Sequence, residues 1–240
     1  MNIINVNNIS KRYGNKYALS NVSFEVKRGT IHGFIGPNGA GKTTTLSIIT
    51  RLVLPTSGDV KIEGKSVRDN PEFNKNLGFV PAEPRFPDLS VEEYLVECGY
   101  LRDIPQEEVL QKLANSPLQQ FANKNCRELS TGWKKILQIF SLKIALSNCE
   151  PKIFLLDEPF NGLDPSFSEE LFNNIKNMKK QGATFIISMH NLPQLRELLD
   201  TDDEVTMIKN GKIVFTGRPT IDIKELYQKH FYEKSGSFFN

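Results

Sequence analysis

The stretch that most constrains the fold of this chain spans residues 36–43 and reads Gly-Pro-Asn-Gly-Ala-Gly-Lys-Thr. Two glycines five positions apart, followed by a lysine and a hydroxyl residue, form the pattern of a phosphate-binding loop. Glycines let the backbone curl so that several N–H groups face one anion, and a following helix adds its positive end. Residues 30–35 have the pattern of a strand and residues 44–52 that of a helix. The sequence therefore predicts a nucleotide phosphate site here.

The residue types in this loop suit the groups of a bound nucleotide. The ammonium of Lys42 would contact the β- and γ-phosphates, and the hydroxyl of Thr43 would ligate Mg²⁺. The predicted nucleotide-binding residues of this segment are Gly36, Pro37, Asn38, Gly39, Ala40, Gly41, Lys42, Thr43 and Thr44.

The composition predicts a soluble globular protein of one large domain. With 240 residues, of which 39% are hydrophobic and 24% charged, the chain can bury a full core. A formal net charge of +2 does not indicate a nucleic-acid partner. The three cysteines lack the spacing of metal ligands and are interpreted as reduced thiols of a cytosolic protein. No apolar run approaches the ~18 residues of a membrane span, and no signal peptide is expected.

Hydrophobic patterns predict a mixed α/β fold. Alternation predicts half-buried strands at 3–9 and 22–26, and further short strands are expected at 60–63 and 77–80. Helical spacing then predicts an inserted helical lobe over 90–125, which is followed by a long helix that ends near Leu146.

The second half of the chain is expected to continue the sheet. Apolar runs at 153–156 and 184–188 are typical of buried parallel strands. Between them, Ser166 and Glu169 form the pattern of a capping box for a helix that Gly182 ends. Asn210-Gly211 predicts a hairpin between strands at 204–209 and 212–216, and an amphipathic helix is expected at about 221–232.

Two adjacent carboxylates, Asp157 and Glu158, follow the strand at 153–156. Open α/β sheets bind ligands at the carboxyl ends of their strands. Asp157 is suited to hold Mg²⁺ or its water, and Glu158 is suited to act as a general base on the attacking water. Guanine-specific GTPases carry an Asn-Lys-x-Asp loop, whereas Asn123-Lys124 is followed here by Asn125-Cys126, without the aspartate.

With these motifs in place, almost the whole chain resembles the nucleotide-binding subunit of an ABC transporter. The motifs that carry the resemblance, in the order of the family, are Tyr13, the Walker A loop at 36–43, the signature at 129–133, the Walker B strand at 153–158, the D-loop at 161–164 and the switch histidine His190.

The resemblance implies roles for these residues. Tyr13 would stack on adenine, while His190 would contact the γ-phosphate and steady Glu158. Ser130 and the Gly132 amide would bind the γ-phosphate of a nucleotide held by a second subunit. The implied catalytic residues are Lys42, Glu158 and His190. The implied cofactors are ATP and Mg²⁺, with Thr43, Asp157 and, as a further candidate, Glu83 as metal ligands.

The resemblance also implies a fold class, which is α/β: a P-loop NTPase core with an N-terminal antiparallel β subdomain and an inserted α-helical subdomain. The expected organisation is one ABC ATPase domain over residues 1–240. Its segments are a β and nucleotide-binding core at 1–81 and 151–220, a helical subdomain with the signature at 82–150, and a C-terminal helix at 221–240.

The chain departs from the family pattern in two places. The signature, usually Leu-Ser-Gly-Gly-Gln, has Thr131 and Trp133 at its third and fifth positions. The Thr131 hydroxyl is expected to cap free N–H groups at the helix start, and Trp133 is expected to alter contacts near the ribose or along the interface. In the Q-loop, Ala82 stands in the place of the glutamine, so that either Glu83 or water would take its place at the metal or metal sensing would be weaker.

Membership of this family would imply two partners. These are a transmembrane permease subunit, docked on the segment 82–95, and a second nucleotide-binding subunit, identical or related. The protein would sit peripherally on the cytoplasmic face of the membrane. By a loose similarity to bacterial export-type ATPases in the stretches Pro-Ala-Glu-Pro and Ser-Thr-Gly-Trp-Lys-Lys, it would power export of a drug, peptide or lipid-like substrate.

Two other functions remain open from the sequence. One is an ABC ATPase without a transport role that acts on ribosomes or DNA, although such proteins usually carry two cassettes, a long coiled coil or zinc-binding cysteines. The other is a regulatory switch that binds ATP with little hydrolysis, an alternative kept open by Thr131, Trp133 and Ala82.

Overall fold

The computed structural model of the chain describes residues 1–70, 72–219 and 221–231. The strands in these ranges are β1 (Asn2–Tyr13), β2 (Lys16–Lys27), β3 (Ile31–Ile35), β4 (Ser57–Ile62), β5 (Lys65–Ser66), β6 (Leu77–Val80), β7 (Ile153–Asp157), β8 (Thr184–Met189), β9 (Glu204–Lys209) and β10 (Lys212–Gly217). The helices are α1 (Lys42–Ile49), α2 (Val91–Tyr100), α3 (Gln106–Ala114), α4 (Thr131–Ala145), α5 (Pro165–Lys180), α6 (Leu192–Leu198) and α7 (Ile223–Phe231).

The strands form two sheets. The first is antiparallel, with the order β2-β1-β4-β5. Buried and exposed residues alternate over 22–26 in β2 as predicted, whereas the alternation predicted over 3–9 is interrupted in β1, where Ile3 and Ile4 are both buried and the register with β2 shifts between Val6 and Ile9. The second has the order β10-β9-β3-β8-β7-β6, and the pairs of β3 with β8 and β9, of β8 with β7 and of β7 with β6 are parallel. Because β8 lies between β3 and β7, the loops that follow these three strands meet at one edge.

Three apolar clusters separate the fold into layers. The first lies between the antiparallel sheet, helix α1 and one face of the parallel sheet. The second covers the opposite face with helices α5, α6 and α7. The third belongs to the helical lobe, in which α2, α3 and the inner face of α4 pack together. In the sequence, this lobe is inserted between β6 and β7. The lobe therefore has its own core, while α4 also packs against β6.

The start of helix α5 corrects one sequence prediction. The helix begins at Pro165 with Asp164 as its N-cap, and not with a capping box of Ser166 and Glu169. The Asp164 carboxylate accepts hydrogen bonds from the amides of Ser166 and Phe167 at 3.0 and 3.1 Å. Proline is well suited to the first helical position, so the Asp-Pro pair sets the helix start ahead of Ser166.

Most other elements lie where the sequence predicted them. The strand at 77–80 and the hairpin around Asn210-Gly211 are found, whereas β1 and β2 are longer than predicted and the short strand β5 was missed. The last helix begins at Ile223, and the part of its predicted range at 232–240 lies outside the described residues. None of the described helices combines the length and apolar character needed to cross a membrane.

A buried histidine in β3 gives the fold a defined pH dependence. His32 is 1% exposed, stacks on Phe24 at 5.3 Å between ring centroids, and places Nε2 2.8 Å from the Thr206 hydroxyl. Burial lowers the pKa of His32 to about 4. The charges of two neighbours have smaller effects on this pKa: Glu204 raises it and Lys27 lowers it. The folded state therefore keeps this imidazole neutral at pH values where the unfolded chain protonates it.

We expect the His32 contribution to the free energy of unfolding to be intact above pH 6.5 and to fall as the pH drops toward 4. The loss should reach about 3 kcal/mol, because the unfolded state binds a proton that the folded state does not. Urea unfolding of the parent chain and of His32→Gln between pH 7.5 and 4.5 measures it. The variant should lose less stability over this interval, and an equal loss in both proteins would contradict the assignment.

Candidate nucleotide-binding and catalytic site

The phosphate-binding loop connects β3 to α1 as the sequence predicted. Gly41, the N-cap of α1, has a φ of 114° and offers no side-chain cap to the helix. The amides of Lys42, Thr43 and Thr44 consequently find no acceptor in the described part of the chain. Free donors at a helix N-terminus form a binding site for an anion, so the loop fits a phosphate group.

Close packing fixes this loop against its neighbours. A Cβ added to Gly36 would lie 2.4 Å from the Ile208 carbonyl oxygen, and one added to Gly41 would lie 2.6 Å from Leu19 Cδ2. The Ala40 carbonyl accepts a hydrogen bond from the Gly211 amide at 2.9 Å. Gly36 is therefore required by its contact with the backbone of β9, and Gly41 by its φ of 114° together with its close packing on β2.

The Lys42 side chain lies within the loop and close to a carboxylate. It is 7% exposed, and Nζ donates to the carbonyl oxygen of Gly36 at 2.7 Å and to that of Pro37 at 3.5 Å. The same ammonium is 3.4 Å from Glu158 Oε1. The predicted phosphate lysine and the predicted general base are thus brought together.

The carboxylate of Asp157 is held between two hydroxyl groups at the end of β7. Oδ2 accepts a hydrogen bond from Thr43 Oγ1 at 2.6 Å, and Oδ1 accepts one from the hydroxyl of Ser188. In residues 1–70, 72–219 and 221–231 no group of three or more His, Cys, Asp or Glu side chains could hold a metal ion. One hydroxyl and one carboxylate suit Mg²⁺, which takes few protein ligands and uses substrate phosphates and water for the rest.

The Glu158 side chain is oriented from two directions. Its Oε2 is 2.8 Å from His190 Nδ1, and the Asn161 Nδ2 of the D-loop approaches the same oxygen at 3.5 Å. Its amide donates to the Ser188 hydroxyl at 2.9 Å. The three predicted catalytic residues, Lys42, Glu158 and His190, therefore form one contact network.

A second lysine, which the sequence analysis missed, lies beneath this network. Lys135 on α4 is 1% exposed, and its Nζ donates to the Glu158 carbonyl oxygen at 2.5 Å. Burial lowers the pKa of Lys135, and the nearby Glu158 and Asp157 carboxylates partly oppose this shift. The sequence did contain a sign of this burial. Lys135 lies on the same helix face as Ile139 and Leu142, which pack toward the parallel sheet, and a lysine is unexpected on such an apolar face.

The signature segment forms the start of α4 and corrects one expectation. Ser130, and not Thr131, is the N-cap, and its Oγ accepts a hydrogen bond from the Trp133 amide at 3.4 Å. Gly132 packs against the D-loop, since an added Cβ would lie 2.9 Å from the Gly162 carbonyl oxygen. Within the described residues, Ser130 forms no hydrogen bond with the phosphate loop of its own chain.

Trp133 is packed within its own chain. Its ring meets those of Phe121 and Phe167 edge-on, each at 4.7 Å between centroids. These contacts join the helical lobe to the start of α5. The indole that replaces the usual glutamine therefore packs inside its own chain. The sequence had predicted only altered contacts near a ribose or along an interface.

Two predicted site residues remain apart from the network. Tyr13 ends β1 with 54% of its surface exposed, and Lys11 Nζ lies 5.0 Å from its ring centroid. Glu83 is exposed and forms no hydrogen bond or ion pair within the described ranges. The structure therefore does not join Glu83 to Thr43 and Asp157.

Removing the Ser188 hydroxyl should destabilise the fold. Ser188→Ala leaves one Asp157 oxygen and the Glu158 amide without this partner in a buried setting. We expect a loss of about 1–3 kcal/mol in the free energy of unfolding, measured by urea denaturation at pH 7.

A matched control is Ser147→Ala, because the buried Ser147 Oγ has no hydrogen-bond partner among the described residues. Its removal should change the free energy of unfolding by less than about 0.5 kcal/mol. Equal effects of the two substitutions would show that the Ser188 hydroxyl does not support the acidic pair.

Comparison with known proteins agrees with this geometry. The family profile described as ABC transporter matches residues 19–161. The chain is 33% identical over 214 residues to the lantibiotic transport ATP-binding protein SrtF of Streptococcus pyogenes, with 88% of this chain and 89% of SrtF covered. It is 32% identical over 241 residues to the SkfA peptide export ATP-binding protein SkfE of Bacillus subtilis, with 98% and 93% covered.

A solved ATP-binding subunit of an ABC transporter superposes with a TM-score of 0.83 at 26% identity and covers 95% of this chain and 98% of its own. The ATP-binding cassette MJ0796, solved as a dimer after hydrolysis with ADP and Pi, superposes with a TM-score of 0.77 at 26% identity, with 90% and 98% covered. These matches confirm the predicted fold class and resemblance. The chain belongs to the ABC transporter family as an ATP-binding subunit with the fold of its ATPase cassettes.

Proposed function

We propose that this chain binds and hydrolyses ATP to power export through a separate membrane permease, from the cytoplasmic face of the membrane. One observation carries the proposal: the ammonium of Lys42 and the imidazole of His190 both contact the carboxylate of Glu158, directly beside a loop with free amides. The export direction is supported by the relatives SrtF and SkfE, which are named for lantibiotic transport and peptide export.

ATP would be held through its phosphates and its base. The loop amides and the Lys42 ammonium would bind the phosphates, as free donors at a helix N-terminus do. The exposed ring of Tyr13 would stack on adenine, an interaction of about 1–3 kcal/mol on the scale of base–aromatic stacking. The proposed nucleotide-binding residues are those of the loop together with Tyr13, and Ser130 and Gly132 from a second subunit.

Thr43 and Asp157 would hold Mg²⁺, because their oxygens already meet at 2.6 Å. When bound, the ion would neutralise charge on the phosphates. Glu83 has no contact that would add it to this pair, so a water molecule is the better candidate for the place of the missing Q-loop glutamine.

Glu158 would act as the general base by accepting a proton from the attacking water at its carboxylate. The His190 Nδ1 contact at 2.8 Å fixes one oxygen of that carboxylate, and the Ser188 hydroxyl fixes the amide of the same residue. Both contacts limit the orientations of the base before the reaction begins.

The proposed assembly contains two nucleotide-binding subunits. Ser130 caps α4, and within the described residues none of its hydrogen bonds goes to the phosphate loop of its own chain, so a γ-phosphate at that loop would need the signature of another subunit. That subunit would be a second copy of this chain or a related one. The permease would dock on the segment 82–95, which joins β6 to the helical lobe.

Replacing the proposed base tests the hydrolytic part of this function. Glu158→Gln should lower the ATP turnover number by about 10²–10⁴-fold, the usual range for loss of a general base. Phosphate release by the purified chain measures the turnover, and equilibrium titration with ATP should give a Kd within about threefold of the parent.

The control is Glu169→Gln, which removes an exposed carboxylate on α5 and should leave turnover unchanged. Parent-level turnover in Glu158→Gln would overturn the proposed base. A parent chain that binds ATP tightly but does not turn it over, even with a permease, would favour the regulatory switch.

A further inference from the structure

Lys135 is a fully buried lysine for which the sequence motifs provide no role. It lies on α4, five positions after the N-cap Ser130, and its ammonium reaches the backbone of Glu158 and not its side chain. A buried cation is retained at the expense of its hydration, and an apolar side chain of similar volume is often tolerated as well or better. Stability alone therefore does not account for a lysine at this position.

The backbone that Lys135 contacts has an unusual conformation. Glu158 has a φ of 48°, in the left-handed region that residues other than glycine rarely adopt. Its carbonyl oxygen accepts hydrogen bonds from Lys135 Nζ at 2.5 Å and from the Asn161 amide at 3.2 Å. Its amide donates to Ser188 on the other side. The peptide groups that flank the Glu158 Cα are thus held from α4, the D-loop and β8.

This conformation determines where the carboxylate of Glu158 points. The side chain leaves the Cα toward Lys42 and His190, and both contacts depend on the direction that the backbone imposes. The Glu158 carbonyl is bonded to the Cα that carries the side chain, and Pro159 restricts the φ that follows, so a displacement of this carbonyl away from Lys135 would shift the Cα and its side chain. The ammonium of Lys135 therefore acts on the proposed base through its backbone.

We propose that Lys135 is a positioning residue for ATP hydrolysis, which holds the Glu158 carbonyl so that the carboxylate stays aligned with the phosphate loop. Because Lys135 belongs to the helix that begins with the signature, the contact also makes the alignment of the base depend on the position of α4. The inference rests on the proposed role of Glu158 as the base.

The test compares Lys135→Met, which removes the donor, with Lys135→Gln, whose shorter amide can still donate. Lys143→Met is the matched control, since Lys143 is an exposed lysine on the same helix whose ammonium, among the described residues, donates to the Asn174 side chain and not to the site. We expect Lys135→Met to lower kcat at least about tenfold with the ATP Kd within about twofold of the parent. Lys135→Gln should lose less, about threefold, and Lys143→Met should behave as the parent.

A purely structural role would produce a different pattern. A structural role predicts that Lys135→Met lowers the free energy of unfolding. A positioning role predicts that urea unfolding shows Lys135→Met to be as stable as the parent or more so, since a buried cation is replaced by an apolar side chain. Parent-level kcat in Lys135→Met, equal losses in the two Lys135 variants, or a parallel loss of ATP affinity would each overturn the inference. If Lys135→Met does not fold, a Lys135→Gln variant with a lower kcat and unchanged ATP affinity supports it, and one with parent kcat overturns it.

A double-mutant cycle separates this inference from the proposed function. If Lys135 acts through Glu158, Lys135→Met should cause no further loss of turnover in the Glu158→Gln background, and additive losses would contradict this. If Glu158→Gln alone keeps full turnover, the proposed function fails. If Glu158→Gln is inactive but Lys135→Met is not impaired, only the role of Lys135 fails.

Discussion

The acidic pair at the end of β7, with its buried Asp157, is the constraint on which the surrounding structure depends. Asp157 is 1% exposed, and a carboxylate in such a position is stable only when its oxygens are hydrogen-bonded. The hydroxyls of Thr43 and Ser188 supply these bonds from opposite sides, because β8 lies between β3 and β7 in the sheet. The contacts that satisfy a buried charge are also those that join the phosphate loop to the proposed catalytic residues.

The same acidic pair connects the parallel sheet to the helical lobe. The Glu158 carbonyl accepts bonds from Lys135 on α4 and from the D-loop, and Gly132 at the start of α4 packs against Gly162 of the D-loop. Trp133 extends this contact by packing between Phe121 and Phe167. The signature, the D-loop and the proposed base are therefore packed as one unit within a single chain.

The sequence was sufficient to predict the parts of the site that follow short-range rules. The phosphate loop, the acidic pair and His190 each follow a strand, so their meeting at one edge was predictable from parallel topology. The N-cap Asp164 was missed because an Asp-Pro pair competed with a capping pattern two residues later. Ser188 and Lys135 were missed because their partners are 31 and 23 residues away in the chain, and only the tertiary structure shows which atoms they reach.

In the proposed assembly, one chain supplies the phosphate loop of one ATP site and the signature of another. Mixing two inactive variants, Lys42→Ala and Ser130→Arg, tests it most directly through ATP turnover. In a mixed dimer one site combines both defects and the other has none, so the equimolar mixture should recover about a quarter of parent turnover for a random two-fold dimer. A mixture as inactive as its separate components would contradict the claim, because each chain would then hold its site alone.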